Sequence, residues 1–312
     1  MKRYFQNRIA ESKLALPLTA IYAAGIWLLS GLTTEDWWLQ FGCFVVAAYL
    51  MAELNNINAL IRIYSRMMSC SFLALSCCTC FLFPSLQGAI LQTCFIGVLL
   101  LLFMTYQDKE GAGLTYYSFL LTGLSSMAIV HILYLVPVLW LLMLTQLQSL
   151  SWRTFGASLL GLLTPYWIGT CFLVWKADFM PLINHLSALG DFHQPFDYAA
   201  LSVNQIAYFA VTIVLFVTGT IHYIRQHHDD KIRIRMLYGF FIWMTLAATL
   251  FLVLQPQHYD MLMRIITICT APLIAHFFAL THTKITNVAF IITLVVILSL
   301  TGYNLWTQSS LF

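Results

Sequence analysis

Residues 114–147 read LTYYSFLLTGLSSMAIVHILYLVPVLWLLMLTQL, 34 positions without one Asp, Glu, Lys or Arg. As a single α-helix this stretch would be about 51 Å long, well beyond the ~30 Å hydrocarbon core of a bilayer. Two short helices turning near His131 fit the core, so Leu114–Leu147 is expected to form a hairpin. That choice decides on which side of the membrane every later loop lies.

The rest of the chain is of the same kind. Of its 312 residues 61% are hydrophobic and 9% are charged, against roughly 25% charged in an average soluble domain. So few charges cannot cover a water-soluble surface. The expected fold is an all-α, polytopic transmembrane helical bundle occupying residues 1–312 as one domain, with no separate soluble domain. Further apolar runs place spans near residues 14–32, 38–54, 67–83, 89–106, 155–175, 206–224, 237–254, 261–280 and 288–303. With the hairpin this makes about 11 crossings. The N-terminal MKRYFQNRIAESK lacks an A-x-A cleavage site downstream and reads as the flank of a retained span.

Charge bias orients the bundle. With the N-terminus inside and a hairpin at 114–147, Lys2, Arg3, Arg8, Lys13, Arg62, Arg66, Lys109, Arg153, Arg225, Lys231, Arg233, Arg235 and Lys284 fall on the cytoplasmic side, 13 of 15 basic residues. Lys176 and Arg264 fall outside. One continuous span would push the basic loop 225–236 outside, against that bias. The expectation is therefore N-in and C-out in a bacterial inner membrane. The net charge of +3 belongs to these loops, and nucleic acid is not an expected partner.

Local patterns add detail. LNNINALIRIYSRMM (residues 54–68) sets Leu54, Ile57, Ile61 and Tyr64 against Asn55, Asn58, Arg62 and Arg66, which reads as an amphipathic interfacial helix or the polar start of the third span. Ala157, Gly161, Pro165 and Gly169 recur every four residues and form a small-residue stripe suited to close helix packing. All eight cysteines lie in apolar runs and read as small hydrophobes. His131 and His276 read as hydrogen-bonded packing residues, and the HHDDKIRIR stretch (227–235) as a solvated loop.

Six of the twelve acidic residues fall on the outer side, and chemistry is expected there. Glu35 and Asp36 precede Trp37 and Trp38 in the first outer loop; the plain reading is a loop anchored by tryptophans at the headgroups. The outer loop 176–205 contains Asp178, Asp191, His193 and Asp197, with a short interfacial helix expected from Pro181 and ended by Gly190. Asp191, His193 and Asp197 have oxygen and imidazole ligands but match no standard metal spacing, so no metal site is assigned. The third group is His258, Asp260 and Arg264. A charge inside an apolar span is a functional candidate by default. Arg264 is set to hold a lipid phosphate or carboxylate, or to pair with Asp260 one turn away. The motifs name no cofactor.

Two segments carry a resemblance. SWRTFGASLLGLLTPYWIGTCFLVWKADF (151–179) and NNINALIRIYSRMMSCSFLALS (55–76) resemble an uncharacterised polytopic integral-membrane family of Bacteroidota envelopes, with Gly161, Pro165 and Asp178 at its Gly-x-x-x-Pro and exposed-Asp places. More remotely the layout is similar to C-type glycosyltransferases, which use lipid-phosphate sugars. That resemblance implies a catalytic carboxylate at Glu35 or Asp36 and Arg264 on the donor phosphate. It makes a polyprenyl-linked or other anionic membrane lipid the expected substrate. Two other readings stand beside it: a non-enzymatic membrane subunit or scaffold of an envelope assembly, with other membrane-protein subunits as partners, and a transporter.

Overall fold

A computed structural model describes residues 4–176, 179–192, 194–199 and 201–309. Asp178 and His193 lie outside the described residues, as do Lys2 and Arg3. The described chain is helical throughout and contains no strand: α1 (Phe5–Ala10), α2 (Ala15–Leu29), α3 (Trp38–Asn58), α4 (Met67–Cys77), α5 (Leu86–Met104), α6 (Ala112–Ala128), α7 (Val136–Thr145), α8 (Trp152–Lys176), α9 (Met180–Ser187), α10 (Val203–Gln226), α11 (Ile232–Leu254), α12 (Tyr259–Leu280) and α13 (Lys284–Ser309). Seven of these, α3, α5, α8, α10, α11, α12 and α13, are long and apolar enough to cross a membrane. The four other apolar runs form the shorter helices α2, α4, α6 and α7. On α8, Leu160, Trp167 and Ile168 are each more than half exposed. Such a face suits hydrocarbon and would be a liability in water. These features make the chain a helical membrane protein.

The chain divides into two compact units: Met1–Leu86, Leu201–Ile242 and Ile266–Phe312 form the first, and Gln87–Ala200 with Trp243–Ile265 the second. In the first, the Trp27 ring stacks flat on Phe83 at 3.9 Å and meets Phe41 and Phe44 at 5.5 Å. Gly219 of α10 lies against the Leu273 backbone, where an added Cβ would stand 3.0 Å from the carbonyl carbon. α10 opens on a complete capping box, Ser202 with Gln205.

Two sequence expectations are corrected here. The amphipathic helix over 54–68 does not form: α3 runs to Asn58 and Ala59 turns into the left-handed region at φ 49°. The Asn55 side chain explains this, because its oxygen accepts from Ile61 N (3.3 Å) and its amide donates to Ser65 O (3.3 Å), competing with the helix ladder. The third run, 67–83, is no continuous helix either. α4 stops at Cys77, where i−3 bonds from Cys78 and Thr79 tighten the chain into a 3-10 turn at Cys80–Leu82 before Pro84.

In the second unit, residues 114–147 break as their length requires. α6 ends at Ala128, Ile129 is extended, and a 3-10 stretch Val130–Leu135 leads into α7. Gln107 N, in the connection between α5 and α6, donates to Leu147 O (2.8 Å), which brings the end of the segment back to the connection that precedes it. The contacts of α6 with α8 advance in step: Tyr116 with Thr164, Gly123 with Pro165, Ser126 with Tyr166. These helices therefore run parallel, so α7 carries the chain back between them. Gly161 sits against the Tyr116 carbonyl and Leu120 N, and Pro165 against Gly123, which is the packing role read for the stripe. α9 forms where the sequence placed it and ends in a 3-10 turn at Ala188–Gly190. All eight cysteines are free thiols.

Candidate functional site

Arg264 lies in the first half of α12, and its side chain is 8% exposed. Its Nε donates to Asp260 Oδ1 (2.6 Å), the i−4 position on the same helix. Its Nη1 donates to Gln92 Oε1 on α5 (2.9 Å). The guanidinium lies directly over Gly88, where a Cβ would stand 2.5 Å from Nε and 2.7 Å from Cζ. The missing side chain at Gly88 thus makes the seat. A planar, delocalised cation with donors at fixed angles fits this arrangement better than a point charge would. The Asp260 carboxylate, 36% exposed, is the open edge of the cluster.

His258 stands just before α12. Its ring is 4.0 Å from that of His131 and 5.6 Å from Phe251. Around this pair the segment 179–199 is tied to its own unit mostly through backbone carbonyls. His131 Nε2 donates to Ala188 O (3.0 Å), Tyr134 OH to Leu189 O, and His185 Nε2 to Ser126 O (2.9 Å). Gln257 Nε2 donates to Asp191 O (3.2 Å), and Tyr198 OH to Val253 O (2.9 Å). His131 and His185 therefore serve as donors to chain carbonyls, and for His131 this is the hydrogen-bonded packing role read in the sequence. Asp191 and Asp197 are exposed, and Asp197 Oδ1 is used by Ala199 N (3.1 Å). Among the described residues no group of three metal-ligating side chains converges.

Glu35 and Asp36 belong to the first unit, in the tight turn between α2 and α3. Glu35 N donates to Gly31 O (2.9 Å), and Asp36 has φ 54°. Both side chains are exposed, and among the described residues neither has a hydrogen bond or ion pair.

The first unit also contains a polar cluster that sequence reasoning did not assemble. Asp230, from the α10–α11 connection, is fully buried between Arg62 and His276. Its Oδ2 accepts from His276 Nε2 (3.2 Å). Its Oδ1 lies 2.8 Å from Arg62 Nε, an ion-pair contact outside hydrogen-bond angles. Arg62 Nη1 also reaches Asp229 Oδ2 (3.5 Å), and Arg233 Nη2 donates to Asn58 Oδ1 (3.0 Å). The rings of His222, Tyr223 and Tyr238 pack on His276 at 5.6, 5.4 and 5.0 Å. The only signals in the sequence were a His deep in an apolar span and an Asp pair in a basic loop.

No family model, curated protein or solved structure matches the chain.

Proposed function

We propose that the chain is an inner-membrane protein of a bacterial envelope, crossing the bilayer about 11 times with N-in, C-out topology, and that it acts as a non-enzymatic membrane subunit of an envelope assembly. One observation carries the reading. The residue best suited to grip a phosphate, Arg264, is closed off, with Nε and Nη1 already taken by Asp260 and Gln92. A guanidinium so engaged pins α12 to α5. A second reading, in which the protein handles a polyprenyl-linked or other anionic lipid in the manner of C-type glycosyltransferases, is favoured by the one-third exposure of Asp260. That carboxylate is a counter-ion that a phosphate could displace.

Substitutions separate the two. If Arg264 is a pin, Arg264→Lys costs about 1–3 kcal/mol, since an ammonium still satisfies the carboxylate but leaves the buried Gln92 oxygen without the donor it has from Nη1. The double variant Asp260→Asn with Arg264→Gln then folds and restores a strain lacking the gene, because it leaves no charge unpartnered. If Arg264 grips a lipid phosphate, both variants fold normally but lose function and the phosphate that co-purifies with the protein. Phosphorus analysis of the purified variants beside the complementation assay decides between them.

The topology is tested by reporter fusions. Fusions after Gln226 and after Phe312 are expected to report cytoplasm and periplasm respectively. A common side for both would remove an odd number of crossings from the count between them.

A further inference from the structure

The first unit carries an open groove of about 330 Å³, whose lining includes no residue of either polar cluster. Ile274 and Phe278 of α12 line it together with Leu18 of α2, Leu75 of α4, and Leu294 and Leu298 of α13. Leu18, Leu294 and Leu298 are exposed, so this wall opens to the surroundings of the helices. Of the five hydroxyl residues in the lining, Thr19 and Tyr22 are turned into the protein. Thr19 Oγ1 donates to Ala15 O (3.0 Å), and Tyr22 OH to Thr301 Oγ1 (3.0 Å). Most of the remaining lining is hydrocarbon, which suits an alkyl chain and offers a polar solute little.

At one end of the groove the lining residues have basic neighbours in the chain. Ile9 and Ser12 line that end, and their chain neighbours Arg8 and Lys13 are exposed. Arg66 directly precedes Met67, another lining residue, and Lys284 opens α13 less than two turns before the lining residue Phe290. Glu11 is the only acid within residues 5–15. This end is held in place by α1. Gln6 N donates to Asn287 Oδ1 (3.0 Å), Gln6 Nε2 to Thr281 Oγ1 (2.7 Å), and Asn7 Nδ2 to Thr281 O (2.8 Å). These bonds tie the residues just before Arg8 to the stretch on either side of Lys284.

We propose that this groove is a binding site for an anionic phospholipid, with one acyl chain along α2 and α13 and the phosphate among Arg8, Lys13 and Lys284. Basic side chains at a membrane surface select anionic over zwitterionic headgroups, and the hydrocarbon wall accepts the tail. The inference does not depend on the role of Arg264.

The full-length protein in phosphatidylcholine nanodiscs is doped with phosphatidylglycerol carrying a diazirine in mid-chain, then irradiated and mapped by mass spectrometry. Crosslinks are expected at least fivefold denser on the segments holding Leu18 and Leu294–Leu298 than on the α8 segment holding Leu160 and Trp167, which is at least as exposed. Even labelling of the two faces, as an ordinary lipid belt would give, overturns the site. The headgroup assignment is tested by Arg8→Gln, Lys13→Gln and Lys284→Gln, all at exposed positions. Groove labelling by the phosphatidylglycerol probe is expected to fall about fivefold per cation removed, while a phosphatidylcholine probe is unaffected. Unchanged labelling, or a parallel fall for both probes, overturns it.

Discussion

Replacing Asp230 by Ala is expected to lower the stability of the protein by about 3–5 kcal/mol, because it removes one partner of a buried charge cluster and strands the others. The two partners differ in what they can do next. Arg62 is one-third exposed and can turn toward water once the carboxylate is gone. His276 is fully buried and cannot. Its Nε2 loses the oxygen at 3.2 Å, and its Nδ1 already has no hydrogen-bond partner among the described residues. The cost therefore concentrates on His276. It follows that the double variant Asp230→Ala with His276→Phe recovers more than half of the loss, since a phenyl ring fills the space between Tyr223 and Tyr238 without a polar atom to satisfy. Asp230→Asn falls between, keeping an acceptor oxygen but not the charge. In detergent, the single Ala variant is expected to unfold about 10 °C below the parent. A midpoint within a degree or two of the parent would show that the cluster contributes nothing to the fold.

This cluster marks where the reading of the sequence ran out, and the reason is physical. Hydropathy adds up along the chain, so each apolar run announced a helix. The length of 114–147 against the bilayer announced a break near His131, and the structure has its extended residue at Ile129. The i, i+4 spacing likewise brought Arg264 and Asp260 together on one helix. Partners chosen across the fold leave no such trace. Gln92 and Arg264 are 172 positions apart, and Asp230 and His276 are 46 apart. Nothing local to Arg62 says that it will meet Asp230, yet this pairing, with the Asn55 side-chain bonds, diverts the chain after Asn58 and removes the helix that the amphipathic pattern announced. Glu35 and Asp36 show the converse. Two acids beside two tryptophans stand out in the sequence, and the structure has them in an exposed turn with no side-chain partner among the described residues.

The small-residue stripe of α8 allows a test in which the same substitution has opposite signs five positions apart. Gly156 has nothing within 4 Å of where a Cβ would stand. Gly156→Ala is therefore expected to stabilise the protein by a few tenths to about 1 kcal/mol, through the smaller backbone entropy that Ala gives up on entering a helix. At Gly161 the added methyl meets the Tyr116 carbonyl, with Leu120 N at 3.0 Å and Phe119 Cβ at 3.1 Å. The first two are main-chain atoms of α6 and cannot swing aside. α6 and α8 must part, and the bonds that depend on their approach, Tyr116 to Thr164 (3.1 Å) and Ser126 to Tyr166 (2.8 Å), lengthen with them. Gly161→Ala is expected to cost about 3 kcal/mol, the upper part of the range for overpacking. Gly169→Ala belongs between the two, since its only near neighbour is the flexible end of Met127 at 3.2 Å. Thermal midpoints of the three variants in one detergent should rank Gly156→Ala above the parent, Gly169→Ala near it and Gly161→Ala well below. If Gly161→Ala were as harmless as Gly156→Ala, the parallel packing of α6 on α8 would be wrong, and with it the reversal of the chain through α7.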